Sequence, residues 1–447
     1  MKTYIVILIL LIINSELFAQ SLFENAGNEL SDNEKKQENL NVDINGYIRG
    51  VFYIGENIAD NIAEFKSLYG ETALKLKADK GEFGNAFAEI RYRNGYQFGK
   101  EFSLVELREV YINAYISKFD FRVGKQIVAW GKADGFNPTN NITPNDMTVR
   151  SPNADDIRLG NFLIKSKFSI NSKLNFEGIW IPRYKGSVLP LELTPLPQGI
   201  TLGEPIYPDA SLKNSGYAFK FNFIFPEIDG SVSYFNGYNP MPGINFGIPE
   251  MLPDSTMSIS FNTIAYKQQV IGFDFSTTLN NYGLRGEIAY RNTEDDYKNK
   301  SYMPNPDLQY VLGIDRTFGD FSIIAQYVGR YVIDFRKLDE PEDTTLIIDY
   351  ELKNYNRLFF GQTEKITHSV SLRPAISLFY VTLSLETFVM YNITTDELLL
   401  FPKLTYSITD ALKLSVGANY YYGKENTLYD LIDKSMSSVF FELKASF

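Results

Sequence analysis

Apolar and polar residues alternate with a period of two along most of this chain, the pattern of β-strands that face water on one side only. In the last strand, Phe441, Leu443 and Phe447 share one face and Glu442 lies on the other. About eighteen segments follow this pattern, over residues 41–54, 69–79, 84–94, 105–117, 119–131, 161–171, 173–184, 216–225, 229–238, 262–278, 282–292, 307–318, 320–334, 366–378, 380–393, 397–408, 410–422 and 435–447.

The connections between these segments alternate between tight turns and long loops. Short turns are expected at 79–81, 118–120, 171–173, 226–229, 280–281, 319–320 and 410, and long loops at about 132–160, 185–215, 239–261, 293–306, 335–365 and 423–434. This alternation is typical of an up-and-down barrel that spans a membrane. We therefore predict an all-β fold, a transmembrane antiparallel β-barrel of about 16–18 strands. A propeller would repeat itself in sequence, and no repeat is visible.

The N-terminus predicts export. Lys2 precedes an apolar run at 4–13 and a small residue, Ala19, which together are typical of a secretory signal peptide over residues 1–19. We expect a flexible periplasmic extension over 20–40 and the barrel over 41–447. No later apolar run approaches the ~20 residues of a transmembrane helix, and aromatic residues make up 15% of the chain. These features favour the outer membrane of a Gram-negative bacterium, where aromatic girdles face the two lipid interfaces.

Composition excludes several kinds of chemistry. The chain has no cysteine and one histidine, so thiolate and histidine-based metal sites are not expected, and no cofactor is predicted. The net charge of −11 argues against nucleic acid as a partner. The expected partners are membrane lipid, small-molecule solutes and the barrel-assembly machinery, which would read an insertion signal at Phe441, Leu443 and Phe447; homo-oligomerisation stays open.

Polar faces of the strands supply the candidate lumen. The candidates for lining and selectivity are Arg49, Lys75, Lys77, Glu89, Arg91, Arg93, Arg122, Gln126, Trp130, Lys165, Lys167, Arg285, Glu287 and Arg291. Basic residues outnumber acidic ones on these faces, and a basic wall in a narrow channel favours anions. The competing interpretation is that these charges pair across neighbouring strands.

A strand followed by a loop carries the densest local pattern. Arg122, Gly124, Gln126 and Trp130 fall on one strand face, and a loop rich in Asn, Asp, Pro and Gly follows. Such residues satisfy their own backbone in turns, so the loop could fold inward and narrow the lumen. The constriction candidates are Asp134, Asn137, Asn140, Asn141 and Asp146.

This stretch resembles a porin-like family of Gram-negative outer-membrane barrels, whose signature is Arg-x-Gly-Lys/Arg-Gln, then Trp-Gly, an acidic residue and Asn-Pro. The matching residues are Arg122, Gly124, Lys125, Gln126, Trp130, Gly131, Asp134, Asn137 and Pro138. The match covers about thirty residues. The resemblance implies a large outer-membrane barrel with a porin or transport role and specifies no substrate. The same residues would also serve to brace the wall.

Two further features qualify this interpretation. Pro374 and Pro402 lie inside predicted strands. Since a closed barrel has no free edge, we expect them at bulges, unless the strand boundaries differ from those predicted. An outer-membrane phospholipase would need His and Ser on one strand face, but Ser369 follows His368 directly. Adjacent acids at 155–156 and 295–296 indicate solvated loops more than a protease site. We therefore predict no enzyme.

The function predicted from the sequence is a porin-like channel for passive diffusion of small polar solutes, anionic ones among them. A barrel that transports a polysaccharide or hydrophobic cargo is the alternative. A surface adhesin, with the long loops as its working part and a closed lumen, is a third possibility.

Overall fold

Eighteen antiparallel strands pair in chain order into a closed barrel in the computed structural model, which describes residues 40–56, 62–191, 200–247, 250–251, 257–343 and 346–447. The predicted signal peptide and residues 20–39 of the predicted extension lie outside these ranges. The barrel strands are β1 (Asn41–Glu56), β2 (Ala63–Asp79), β3 (Gly84–Gln97), β4 (Lys100–Ile116), β5 (Phe119–Gln126), β6 (Asn161–Ser169), β7 (Leu174–Ile181), β9 (Gly216–Ile224), β10 (Ile228–Tyr238), β14 (Lys267–Leu279), β15 (Tyr282–Thr293), β16 (Asp307–Phe318), β17 (Phe321–Val332), β18 (Ile366–Leu378), β19 (Leu383–Asn392), β20 (Glu397–Ser407), β21 (Leu412–Gly423) and β22 (Ser438–Ser446).

The last strand closes the barrel on the first. β22 pairs with β1 from Tyr47 opposite Ser446 to Ile54 opposite Val439. The backbone of Phe447 continues this ladder, exchanging hydrogen bonds of 2.9 and 3.0 Å with Gly46. The predicted architecture is therefore confirmed, with eighteen strands.

The two faces of each strand differ as the alternation predicted. Outward side chains such as Phe52, Phe219, Phe441 and Leu443 are exposed on the exterior of the barrel. Inward neighbours such as Glu442 are buried. Since an apolar exterior is stable only in lipid, the barrel spans a membrane. Among the described residues, no helix is long and apolar enough to cross one.

The two rims of the barrel differ in the length of their connections. Turns such as Ser117–Lys118, Asn280–Asn281 and Gly319–Asp320 join strands at one rim, which corresponds to the periplasmic rim of outer-membrane barrels. The other rim carries the long loops. Two of its described connections are short, at residues 98–99 and 393–396. The predicted segments left gaps at both places, at 95–104 and 394–396, but neither gap was named as a turn or a loop.

The predicted strand at 262–278 is wrong at its start. β13 (Met257–Ile264) leaves the barrel and pairs with three other short strands, β8 (Ile200–Leu202), β11 (Gly243–Phe246) and β12 (Glu250–Met251). The barrel strand β14 begins only at Lys267. The alternation continues through both strands, so it could not show that the chain changes sheet at residues 265–266.

The long loops fold on one another above the barrel. Helix α1 (Ile347–Phe360) packs Leu352 against Ile244 and Phe261 of the small loop sheet. Asn356 joins the two, accepting from the Ile244 amide at 2.9 Å and donating to its carbonyl at 2.7 Å. A second helix, α2 (Leu428–Met436), precedes β22. The extracellular rim thus carries a cap with its own apolar core.

The prediction that the two strand prolines sit at bulges is wrong. Leu372 opposes Val389 and Ala375 opposes Glu386, which is the same register on both sides of Pro374. The ladder between β18 and β19 skips residues 373 and 374, and that between β20 and β21 skips 401 and 402. Because proline lacks an N–H, it is accommodated here by omitted pairing and not by an extra residue.

Candidate functional site

The loop between β5 and β6, residues 127–160, folds into the barrel and is called the inward loop below. Its Trp130 indole donates to Glu177 on β7 at 2.8 Å. Its Asp134 forms an ion pair with Arg373 on β18 at 2.9 Å. These partners lie on well-separated strands, so the loop extends across the interior of the barrel.

The first half of the inward loop surrounds one carboxylate on the opposite wall. Glu287 on β15 accepts from the amides of Lys132 at 2.5 Å and Ala133 at 2.6 Å, and from the Thr139 hydroxyl at 2.9 Å. Asn137, with its amide nitrogen turned toward the carboxylate, adds a fourth donor at 2.9 Å. Glu287 was predicted to line the lumen, but its carboxylate anchors the loop.

Gly131 makes this approach possible. Its φ is +110°, a backbone conformation that L-residues rarely adopt. A Cβ at this position would lie 2.5 Å from Oε1 of Glu287. The Trp-Gly pair in the sequence motif therefore has a steric reason: glycine lets the backbone contact the carboxylate.

Gly131→Ala is expected to destabilise the barrel by about 1–3 kcal/mol, the usual cost of a strained backbone position. The free energy of unfolding in guanidinium measures this loss. Gly319→Ala is the matched control, since Gly319 also has a positive φ (+59°) but has open space around it. Equal losses in the two variants would mean that the contact with Glu287 contributes nothing.

The second half of the loop is held by Asp156. Its carboxylate receives Arg49 of β1 and Arg91 of β3, each at 2.9 Å, and the Ser151 hydroxyl at 2.5 Å. Arg108 of β4 donates to the carbonyls of Asp155 and Asp156. Residues 155–156 were predicted to lie in a solvated loop. That interpretation is wrong for Asp156, which is buried, and right for Asp155, which is exposed.

The same arginines belong to a larger buried network. Arg49 pairs with Glu71 at 2.7 Å and Glu442 at 3.2 Å, and Arg93 pairs with Glu71 at 2.5 Å. The side chains of Arg49 and Glu71 are only 2% and 0% exposed. Arg49, Arg91 and Arg93 therefore face inward but are buried. Arg49 and Arg91 contact the loop through Asp156, and Arg93 contacts Glu71 beside them.

The surroundings of two charged loop residues, Asp156 and Arg150, shift their pKa values. Burial alone would raise the pKa of Asp156, but the guanidinium groups of Arg49 and Arg91 dominate and hold it well below its usual range. Arg150 lies deeper, where it donates to the Ser435 carbonyl at 3.0 Å, and burial lowers its pKa. The loop is thus fixed by ionised groups that water does not reach.

Most other predicted lumen charges pair with acids. The pairs are Lys75 with Glu89 (3.8 Å), Lys77 with Asp79 (3.0 Å), Lys165 with Glu177 (2.7 Å), Arg291 with Asp307 (2.9 Å) and Arg285 with Asp315. Arg122 stacks on Tyr111 at 4.2 Å and donates to Asn113 at 2.7 Å. Gln126 is fully buried. A continuous basic wall is absent from this described part of the lumen.

One basic cavity remains on the periplasmic side of the inward loop. It has a volume of about 270 Å³ and contains Lys132, Lys165 and Lys167 together with Glu177 and Asp229. Within the described ranges, Lys132 and Lys167 have no carboxylate within ion-pair distance. The predicted basic character is therefore concentrated here. Across the described residues, no three carboxylate or imidazole groups meet as a metal site would require.

The five constriction candidates all lie in the inward loop, but they mainly stabilise it. Asn140 accepts from the Trp130 amide at 3.4 Å, and Asn141 donates to the Pro138 carbonyl at 3.0 Å. Asp146 accepts from the amide and hydroxyl of Thr148. Asn137 and Asp134 make the contacts already described.

Five further site residues were not predicted from the sequence: Glu71, Arg108, Asp156, Arg373 and Glu386. Period-two alternation places Glu71, Arg373 and Glu386 on inward faces, so the signal was available for those three. Arg108 lies where the β3–β4 register shifts, which displaces it from simple alternation. Asp156 has only a loop sequence around it and gives no such signal.

His368 and Ser369 lie on opposite faces of β18. His368 hydrogen-bonds Tyr327 at 2.5 Å on the outer face, whereas Ser369 is buried inside. The two side chains are therefore not brought together.

A closed eighteen-stranded barrel with an apolar exterior, charged interior and inward loop is an outer-membrane β-barrel of the porin type. This is also the location predicted from the sequence. The chain belongs to the family described as "Protein of unknown function (DUF1302)", whose model matches residues 28–447. A comparison with curated protein sequences found no significant match.

Solved structures share the fold at low sequence identity. OccAB3 of Acinetobacter baumannii has a TM-score of 0.53 and 10% identity, covering 91% of this chain and 99% of that one. OccK3 (OpdO) of Pseudomonas aeruginosa has a TM-score of 0.52 and 10% identity, covering 91% and 96%. A BenF-like porin from Pseudomonas fluorescens Pf-5 has a TM-score of 0.52 and 9% identity, covering 91% and 98%. At these identities the likeness concerns the fold.

Proposed function

We propose that this protein is an outer-membrane channel for passive diffusion of small solutes, narrowed by the inward loop. One observation carries the proposal: the loop is anchored across the lumen, yet charged inward side chains beneath it remain open to water. Glu386 and Lys403 are 38% and 34% exposed, in contrast to the sealed Arg49–Glu71 pair. In a closed lumen, charged side chains at the middle of the barrel would be buried and shielded from water, as Arg49 and Glu71 are.

Two features of the lumen would determine which solutes pass. The inward loop limits the size of the solute, because it occupies the section between Glu177, Glu287 and Arg373. Lys132, Lys165 and Lys167 add positive potential just below it, where low-dielectric walls concentrate the field. A weak preference for anions follows, smaller than a continuous basic wall would give.

Reconstitution into a planar bilayer tests both features. We expect stable single-channel steps and a reversal potential in a salt gradient that indicates weak anion selectivity. Lys132→Gln combined with Lys167→Gln should shift this potential toward cation selectivity. Lys77→Gln is the control, because Lys77 pairs with Asp79 outside the cavity. Absence of any conductance would contradict the channel, and would favour an adhesin whose working part is the loop cap.

Assembly is proposed to depend on the C-terminal strand. Phe441 and Leu443 face outward on β22, and Phe447 is exposed at its end beside Gly46. This arrangement supports an exposed apolar signal that barrel-assembly machinery could bind before β22 pairs with β1.

A further inference from the structure

Three adjacent strands, β19, β20 and β21, share an inner face that the loops leave largely uncovered. In the half nearer the loop rim, inward side chains of most strands are buried beneath the loops. Examples are Tyr53, Tyr69, Arg93, Gln126, Val270, Ala289, Val311 and Val332. On β19, β20 and β21 the inward side chains within residues 386 to 392, 399 to 403 and 417 to 421 stay partly exposed, and Glu397 at the rim end of β20 is buried. The unfilled part of the lumen therefore runs along these strands.

The surface that borders this space is apolar. We call it the apolar strip: Phe388 and Met390 of β19, Leu399 and Phe401 of β20, and Tyr421 of β21. Ring centroids are 6.4 Å apart for Phe388 and Phe401, and 5.6 Å apart for Phe401 and Tyr421. The rings thus form a continuous series and not isolated packing contacts.

The strip reaches from the loop rim to the inward loop. At its upper end, Tyr421 contacts Tyr429 of α2 with centroids 5.5 Å apart. At its lower end, Gly135 of the inward loop approaches Phe388, since a Cβ there would lie 3.6 Å from the ring. The inward loop therefore lies against the strip at Phe388, and a solute that follows the strip has to pass beside this contact.

Charges at the lower end of the strip balance one another. Arg373 lies between Asp134 at 2.9 Å and Glu386 at 3.6 Å, and Lys403 follows at 3.5 Å from Glu386. Two cations and two anions give this group no net charge. These four side chains can hydrogen-bond a polar group of either charge. The strip can therefore select solutes by their apolar part and not by their charge.

We propose that the passage follows the apolar strip and favours solutes that combine a polar group with an aromatic or aliphatic body. This rests on the proposed channel and deepens it by naming a solute class. A purely polar solute would have to lose hydration water beside the rings without compensation, whereas a ring-bearing solute gains contacts there. The strip would therefore lower the barrier for the larger, ring-bearing molecule.

Liposome swelling with two uncharged solutes separates this effect from charge. Each entry rate into proteoliposomes is corrected by subtracting the rate in protein-free liposomes. The ratio of the corrected rate of phenyl β-glucoside to that of glucose should exceed the ratio expected from their sizes alone. Phe388→Ser with Phe401→Ser should lower that ratio by about twofold to tenfold, the usual worth of an aromatic contact. Phe388→Leu with Phe401→Leu keeps an apolar surface and should retain most of the preference.

Tyr111→Ser is the matched control, because Tyr111 is an inward aromatic residue on β4 away from the strip. Folding of each variant is checked by heat-modifiable gel mobility. One outcome would overturn the role of the strip and leave the channel intact. In it, the protein conducts ions, solutes permeate strictly in order of size, and the serine variant has the same permeation rates. Absence of both conductance and swelling in the wild type would overturn the channel and the strip together.

Discussion

Asp156→Asn is expected to release the second half of the inward loop and increase single-channel conductance. Arg49 and Arg91 each lose a charged partner at 2.9 Å. Because these guanidinium groups stay buried, breaking the pairs should cost about 3–5 kcal/mol of unfolding free energy. Conductance in planar bilayers and unfolding in guanidinium measure the two effects.

Asp155→Asn is the matched control for this variant. Asp155 is adjacent in sequence and carries the same charge, but its side chain is 65% exposed and, within the described part of the chain, pairs only with Arg158 at 3.2 Å. Exposed pairs of this kind contribute little. The anchoring role of Asp156 is contradicted if the two variants have the same conductance and stability.

The pH dependence of this anchor follows from the direction of the pKa shift. The pKa of Asp156 is lower in the folded protein than in the unfolded chain, since Arg49 and Arg91 outweigh the effect of burial. Its contribution is therefore fully present above about pH 4, the usual range for Asp, and is lost only as the pH falls through the lowered value. Conductance between pH 7 and 5 should show no release of the loop.

Glu287→Gln is expected to free the first half of the loop. Glutamine can accept through one atom only, whereas the Glu287 carboxylate accepts from Lys132, Ala133, Asn137 and Thr139. Hydrogen bonds to charged groups contribute about 1.5–3 kcal/mol each, so the loss of two should cost at least about 3 kcal/mol. Larger and noisier conductance steps should accompany this loss.

Glu227→Gln serves as the control, because Glu227 is an exposed residue of the turn between β9 and β10. Unchanged current noise in Glu287→Gln would argue against anchoring at this position. The two anchors hold different halves of the loop, so the effects of Asp156→Asn and Glu287→Gln should add.

The alternation of apolar and polar residues was sufficient to predict the barrel. It predicted about eighteen strands and the two faces of β22, because lipid and interior impose a period of two on every strand. It extended β5 to residue 131, whereas that strand ends at Gln126. It failed at residues 262–266, where β13 alternates just as a barrel strand does but pairs with other loop strands. Alternation specifies a strand and a face, but not a partner.

The loop anchors could be predicted only in part. The motif around Trp130 and Asn137 indicated an ordered inward loop, since its turn-forming residues satisfy their own backbone. It did not identify Glu287, 148 residues away from Thr139, as its partner. The basic wall was overestimated because the compensating carboxylates of Glu71, Glu177 and Asp307 were not counted among the inward acids.

The skipped pairing at Pro374 and Pro402 has a mechanical consequence. The two gaps lie on either side of the β19–β20 hairpin, at the level of Phe388 and Phe401. The hairpin keeps its own complete ladder, in which these two rings face each other across paired strands. The wall is therefore less strongly held on both sides of this hairpin than where its ladders are complete, while β1 and β22 keep the barrel closed.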